Sequence, residues 1–206
     1  MTANTQWHTA DDFDLPDSDS AIRTVSGRFV DLLHPDPDTI VLDDIAHALS
    51  MVNRFGGHTA EPWSVAEHSI AVSAMLWRST GDPRLALLGL LHDAAEAYLG
   101  DVVRPLKTHL DQYKRVEERM EHVIFSKLVP GFSELPVEQV VEVMAQVKSA
   151  DRGLLAFEMS VIRNAEWRRP SKRKSVRRAF CAEFNRLEIL VRRDLRSSSQ
   201  TDPGRR

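Results

Sequence analysis

The apolar side chains of this chain recur at helical spacing along most of its length. From Asp43 onward, Ile45, Ala46, Leu49 and Val52 follow one another at three- and four-residue intervals, with Asp43 placed to cap the helix they define. Ser64 opens a second helix through His68, Ala71, Val72 and Met75 towards Trp77, and Glu67, three residues after Ser64, completes a capping-box pattern. Asp82-Pro83 is a cap followed by proline in the first turn. The segment that follows (Leu85, Ala86, Leu87, Leu88, Leu90, Leu91) is apolar on nearly every side, as a helix buried all round should be. A more polar helix is expected over about 111–128, a long one from Pro136 through Val140, Val143, Val147, Leu154 and Phe157, and a last one over about 176–193. Between these, Ile22 to Ile40 holds Gly27, Pro35 and Pro37 and reads as irregular or short extended structure, and Phe55 to Trp63 reads as a loop. No strand-period alternation of useful length and no internal repeat is present. The expected fold class is all-α, a bundle of about five to seven helices.

Composition sets the scale of that bundle. At 206 residues the chain can form one domain with a substantial core, and its 42% apolar and 28% charged residues are ordinary for a globular protein. Residues 1–20 are polar and acidic and are expected to form a loose arm without the character of a signal peptide. Residues 21–195 are expected to be one domain, and 196–206 a disordered tail. No apolar run approaches the roughly 18 residues needed to span a bilayer, so no membrane partner is expected. The one cysteine, Cys181, excludes an intramolecular disulfide, which fits a reducing, cytoplasmic setting. Its neighbours Ala179, Phe180 and Phe184 point to a buried structural thiol.

The formal net charge of −3 hides an asymmetry. Residues 163–206 carry 14 Lys/Arg against 5 Asp/Glu, and the run from Arg168 to Arg178 is the steepest part. Such a block could meet phosphates. However, no aromatic side chains interleave it as a stacking platform for nucleic acid requires, so a solvated basic segment is the favoured reading.

The chemistry concentrates in Leu91-His92-Asp93-Ala94-Ala95-Glu96-Ala97-Tyr98-Leu99-Gly100-Asp101. His92 and Asp93 end an apolar run, His68 sits four residues past the Ser64 cap, and Asp151 follows small and apolar residues where a carboxylate is costly unless paired or bound to metal. Two imidazoles and two carboxylates form a reasonable site for one divalent ion (Mn, Co, Zn, Fe or Mg), with room for water. As neighbours on a helix, His92 and Asp93 diverge by about 100°, so both reach one ion only if the helix passes it tangentially. Glu96, four residues after His92, would share a helix face with it.

The stretches Trp63-Ser64-Val65-Ala66-Glu67-His68-Ser69, then His92-Asp93 with Glu96 and Gly100-Asp101, then Ala150-Asp151, resemble the HD-domain metal-dependent phosphohydrolases. More narrowly, they are similar to the branch of 5′-deoxynucleotidases and phage-type deoxyadenosine triphosphate hydrolases. The resemblance covers about Ile22 to Phe157. It implies a helical bundle, homo-oligomeric assembly, a nucleotide substrate, and metal ligation by His68, His92, Asp93 and Asp151. It also implies that Glu96 is the general acid/base, with Asp101 sharing that role. Lys107 matches a substrate-facing lysine of the family. Arg54 matches a phosphate-gripping arginine that a tryptophan follows in the deoxynucleotidases, whereas Phe55 stands at that place here and could stack on sugar or base.

Two other classes compete. A di-iron oxygenase of the same fold needs further histidine ligands between His92 and Asp151, where His109 and His122 stand in charged, solvent-facing contexts. A nucleotide- or nucleic-acid-binding module without turnover would not need the acidic residues that accompany the ligands.

Overall fold

The computed structural model describes residues 19–164 and 173–200. A short antiparallel hairpin, β1 (Ala21–Arg23) and β2 (Phe29–Asp31), precedes eight helices. These are α1 (Leu42–Met51), α2 (Val65–Thr80), α3 (Pro83–Leu91), α4 (Glu96–Leu99), α5 (Arg104–Lys107), α6 (Asp111–Leu128), α7 (Val137–Asn164) and α8 (Arg173–Gln200). The fold is all-α, with α4 and α5 single turns. The hairpin is the only sheet among the described residues, and Ser26 ties it to α1 through Asp44.

The all-apolar segment forms the centre. Every residue of α3 from Leu85 to Leu91 is buried, with α2, α7 and α8 packed around it. Gly89 marks the closest approach: a Cβ there would lie 2.4 Å from Leu76 Cδ1 of α2. Phe180, Phe184, Leu187 and Val191 carry α8 into the same core.

The caps at Ser64 and Asp82 form as the spacing requires. Ser64 Oγ accepts from the Glu67 amide at 3.2 Å while Glu67 Oε2 accepts from the Ser64 amide at 3.1 Å, and Asp82 Oδ1 accepts from the amides of Arg84 and Leu85. Asp43 behaves otherwise. Helix α1 starts two residues earlier than that cap implies, Val41 is its N-cap, and the Asp43 carboxylate pairs with Arg177 of α8 instead. Cys181 is half-buried rather than buried, with Sγ 3.9 Å from Asp43 Oδ1. Helix α8 also runs further than its apolar stripe, to Gln200, so residues 196–200 are helical where a tail was expected. The acidic arm up to residue 18, residues 201–206, and residues 165–172 of the basic block lie outside the described residues. No helix among those described is long and apolar enough to cross a membrane.

Candidate metal centre

Three devices of local structure bring the centre together. The loop between α1 and α2 is closed at its neck by backbone bonds from Arg54 N to Trp63 O (2.8 Å) and from Val65 N to Val52 O (3.0 Å). This places Arg54 and Trp63 side by side at the start of α2, whose capping box sets the position of His68 one turn in. Phe55, the only non-glycine residue with positive φ among those described (60°), turns the chain away immediately after Arg54.

The second device is a helix break. His92, Asp93 and Glu96 do not share one helix, as their spacing suggested. Helix α3 stops at Leu91, and the chain passes through tight turns (Ala94 N to Leu91 O, Glu96 N to Asp93 O) before α4 begins at Glu96. The break removes the difficulty of two adjacent residues reaching one point. His92 and Asp93 both turn to the same place, with His92 Nε2 only 3.2 Å from Asp93 Oδ2.

The third is α7, which contributes Asp151 and, two turns later on the same face, Glu158. Asp151 Oδ1 lies 3.1 Å from His68 Nε2 and 3.8 Å from His92 Nε2. Glu158, fully buried, accepts from His68 Nδ1 at 2.8 Å, from Trp63 Nε1 at 2.7 Å and from Arg54 at 3.3 Å.

These contacts settle which ring nitrogens face the centre. The carbonyl of Gly89 can only accept, so His92 Nδ1, 2.8 Å away, carries a hydrogen, and His68 Nδ1 is held by the Glu158 carboxylate in the same way. Both Nε2 atoms are thereby turned inward and stand 3.3 Å apart. One atom each from His68, His92 and Asp151 lies within 4.8 Å of the others, and Asp93 Oδ2 is 3.6 Å from His68 Nε2. Two inward-facing imidazole nitrogens and the Asp151 carboxylate, with the outer ring nitrogens anchored, are positioned to hold a divalent cation, and Asp93 stands beside them.

The electrostatics agree. Burial works against the His92 imidazolium, yet Asp93 and Asp151 outweigh it and hold its pKa well above the usual value. Burial likewise opposes the Asp93 and Asp151 carboxylates. For Asp93 the opposing forces are His92, His68 and Arg54; for Asp151 they are the hydrogen bonds and charges of the two histidines, and both end far below the ordinary carboxylate range. The carboxylates that favour a positive charge on His92 would equally face a cation held between the ring nitrogens.

Asp93 and Asp151 open onto a cavity of about 730 Å³, the size range of small-molecule sites. Glu96, Asp101, Arg54, Phe55 and Lys107 line it as well, so every residue expected at the site except the two buried imidazoles reaches this one space. Glu96 is 5% exposed, and its Oε2 has no hydrogen-bond partner among the described residues. Burial, with Asp93 and Asp101 nearby, pushes its pKa well above the ordinary carboxylate value. Burial also raises Asp101.

The two cations expected to grip phosphate are already engaged. Arg54 bridges Asp93 and Glu158 at 3.3 Å each and lies over the Phe55 ring at 5.4 Å, and Lys107 pairs with Glu117 at 2.6 Å. His109 and His122 are exposed. Glu158 and Trp63 were not among the residues singled out from the sequence. The available signal was position: Glu158 stands seven residues after Asp151, on the same helix face.

Comparison with known proteins accords with this geometry. The family model of the HD domain matches residues 52–200. The uncharacterized protein YfdR of Escherichia coli is 37% identical over 136 residues, 66% of this chain and 74% of that protein. An uncharacterized protein of Rhodobacter capsulatus is 35% identical over 126 residues, covering 58% of this chain and 64% of its own length. A 5′-deoxynucleotidase of Vibrio parahaemolyticus is 31% identical over 91 residues, and the match spans 47% of that enzyme.

Proposed function

The chain belongs to the HD-domain family, and from that premise we propose that it is a metal-dependent hydrolase of the 5′-phosphate ester of a deoxynucleotide. The observation that carries the reading is the pair of His68 and His92 Nε2 atoms, 3.3 Å apart and buried beside Asp93 and Asp151, which line a cavity of small-molecule size. The similarity to proteins named 5′-deoxynucleotidase supports the substrate class.

In this reading His68, His92, Asp93 and Asp151 hold one divalent ion. When bound, such an ion polarises the phosphoryl group and acidifies the attacking water. Water adds to phosphorus, the bond from phosphorus to the 5′-oxygen breaks, and that oxygen takes up a proton. Glu96 supplies that proton: its Oε2 is buried and unpartnered among the described residues, it lines the cavity with Asp93, and burial favours its neutral form. Asp101, across the same cavity, orients the water or exchanges the proton with Glu96. Arg54 holds Asp93 and Glu158 in place and turns a guanidinium edge to the phosphate, while Phe55 packs against the nucleoside.

The decisive experiment incubates purified protein with the mono-, di- and triphosphates of the common nucleosides and deoxynucleosides, with Mn, Co, Mg and Zn compared. Release of nucleoside together with phosphate or a polyphosphate is expected, and Asp93→Ala should lose both metal and turnover. If no nucleotide is hydrolysed with any metal, the proposal fails.

A further inference from the structure

The two shortest helices carry much of the cavity wall, and neither can hold itself. Helix α4 has Glu96 at its start and Asp101 just past its C-cap, and α5 ends on Lys107. Each is a single turn, too short to be stable in water alone, so the places of these side chains are set from outside. The support is α6, which is 18 residues long. Three of its side chains, within little more than one turn, reach back to residues 100–108. Tyr113 Oη donates to the Gly100 carbonyl at 3.0 Å, Lys114 Nζ donates to the Thr108 carbonyl at 2.9 Å, and Glu117 accepts from Lys107 Nζ at 2.6 Å.

Two of these contacts bear on groups that line the cavity. Gly100 (φ 77°) donates its amide to the Glu96 carbonyl at 2.9 Å and accepts Tyr113 at its own carbonyl, so the peptide that leads into Asp101 is held at both ends. Glu117 lies on the buried face of α6 with Met120, Ile124 and Phe125, and it is the charged member of that set. A largely buried ion pair is a weak source of stability, because desolvation offsets the attraction, so the fold alone does not account for Glu117. Lys107 does. One of its three N–H donors goes to Glu117, its Nζ lies 5.7 Å from the Tyr113 ring centre, and the other two donors have no hydrogen-bond partner among the described residues. A long flexible stem loses entropy when its end is fixed, and the contacts with α6 impose that loss before any ligand arrives. Lys107 and Asp101 line the cavity, whereas Tyr113 and Glu117 stand behind them.

We propose that Glu117 and Tyr113 are positioning residues: Glu117 aims the Lys107 ammonium at the phosphate in the cavity, and Tyr113 fixes the backbone that presents Asp101. The inference rests on the hydrolase reading above and adds to it a layer on α6 that touches no substrate. Glu117 acts through Lys107, so its effect vanishes when Lys107 is absent. Tyr113 acts through Asp101, so its effect falls on turnover and leaves the metal ligands alone. An ammonium held by a carboxylate offers the phosphate two aimed hydrogen bonds, which an unanchored lysine would have to organise on binding.

The test is a double-mutant cycle on the full chain with Mn present, comparing Glu117→Gln, Lys107→Ala and the two together, with Tyr113→Phe beside them. Calorimetry measures the binding of Mn and of orthophosphate, and kinetics measures kcat and KM for a deoxynucleoside monophosphate. Glu117→Gln should lower orthophosphate affinity and kcat/KM about tenfold in the wild-type background and less than about twofold in the Lys107→Ala background, with Mn affinity unchanged. Tyr113→Phe should lower kcat about fivefold or more with KM within about twofold. Equal losses from Glu117→Gln in both backgrounds would show that it acts on the fold and would overturn its role, as would no loss in the wild-type background. An unchanged kcat in Tyr113→Phe would overturn the role of Tyr113, and this variant decides by itself if thermal melting shows that Glu117→Gln does not fold. A wild type that hydrolyses no nucleotide overturns the hydrolase reading instead, and the orthophosphate cycle still decides whether Glu117 aims Lys107.

Discussion

Glu158 accepts the Nδ1 hydrogen of His68 at 2.8 Å, from a position two helical turns beyond Asp151, which faces the opposite nitrogen of the same ring at 3.1 Å. One helix thus grips one imidazole from both sides and sets which nitrogen is offered to a cation. The same carboxylate takes the Trp63 indole and the Arg54 guanidinium, so it compensates a buried positive charge as well as orienting a ligand.

Removing Glu158 should therefore weaken both metal binding and the fold. Glu158→Ala leaves Arg54 and the His68 ring without their partner, and a loss of about 3–5 kcal/mol is expected from breaking a buried pair. Metal affinity should fall about 10- to 100-fold, as it does when a partner of a ligating histidine is lost. Glu158→Gln, which keeps an acceptor oxygen, should recover part of the metal affinity. Metal titration by calorimetry alongside urea unfolding measures both effects, and unchanged metal affinity in the alanine variant would remove Glu158 from the centre.

The same carboxylates make the metal-free protein acid-sensitive. Burial opposes the charge on Glu158, but the hydrogen bond and charge of His68, then Arg54, bring its pKa below the usual value, and Asp93 and Asp151 lie lower still. A depressed folded pKa contributes stability that is present above the unfolded value near 4 and lost as pH falls through the folded one. Urea midpoints of metal-free protein should therefore drop steeply below about pH 4. The drop should be shallower in Asp151→Asn.

Glu121 gives the opposite sign. Burial, then Glu117 and Asp93, push its carboxyl up to about 7. A raised folded pKa contributes stability that is full below the unfolded value and declines as pH rises through 7. Glu121→Gln should flatten the stability profile between pH 5 and 8, and an unaltered slope would show that another group titrates there.

Glu96→Gln should separate stability from turnover. The amide removes a buried group whose ionisation is disfavoured by burial, Asp93 and Asp101, so the variant should melt at or above the wild-type temperature at neutral pH. It should retain metal and lose turnover by 100-fold or more, the scale of a missing general acid. Equal loss of metal would make Glu96 a ligand.

Gly89→Ala tests the helix break. Its Cβ would meet Leu76 Cδ1 at 2.4 Å, and the same residue's carbonyl anchors His92 Nδ1. A destabilisation of about 1–3 kcal/mol is expected from overpacking. Metal affinity should fall with it, because the end of α3 that carries His92 has to shift.

What the sequence determined by itself was local. The helix over 111–128, the Ser64 capping box and the Asp82-Pro83 start depend on neighbours three or four residues apart, and all three form as their spacing demands. The HD-domain identity was also legible, because its motif is a set of short stretches whose residue types are unusual together. Tertiary structure decided the rest. Asp43 caps nothing because Arg177, 134 residues away, offers its carboxylate an ion pair. The carboxylate that orients His68 stands 90 residues from it, and the partner of Trp63 is 95 residues away. At the break after Leu91, the His92 ring bonds to the Gly89 carbonyl, a contact that no propensity encodes. That Arg54 and Lys107 are engaged by carboxylates is likewise a matter of what folding brings within a few ångströms, since a charge is worth most to the partner that burial leaves it with.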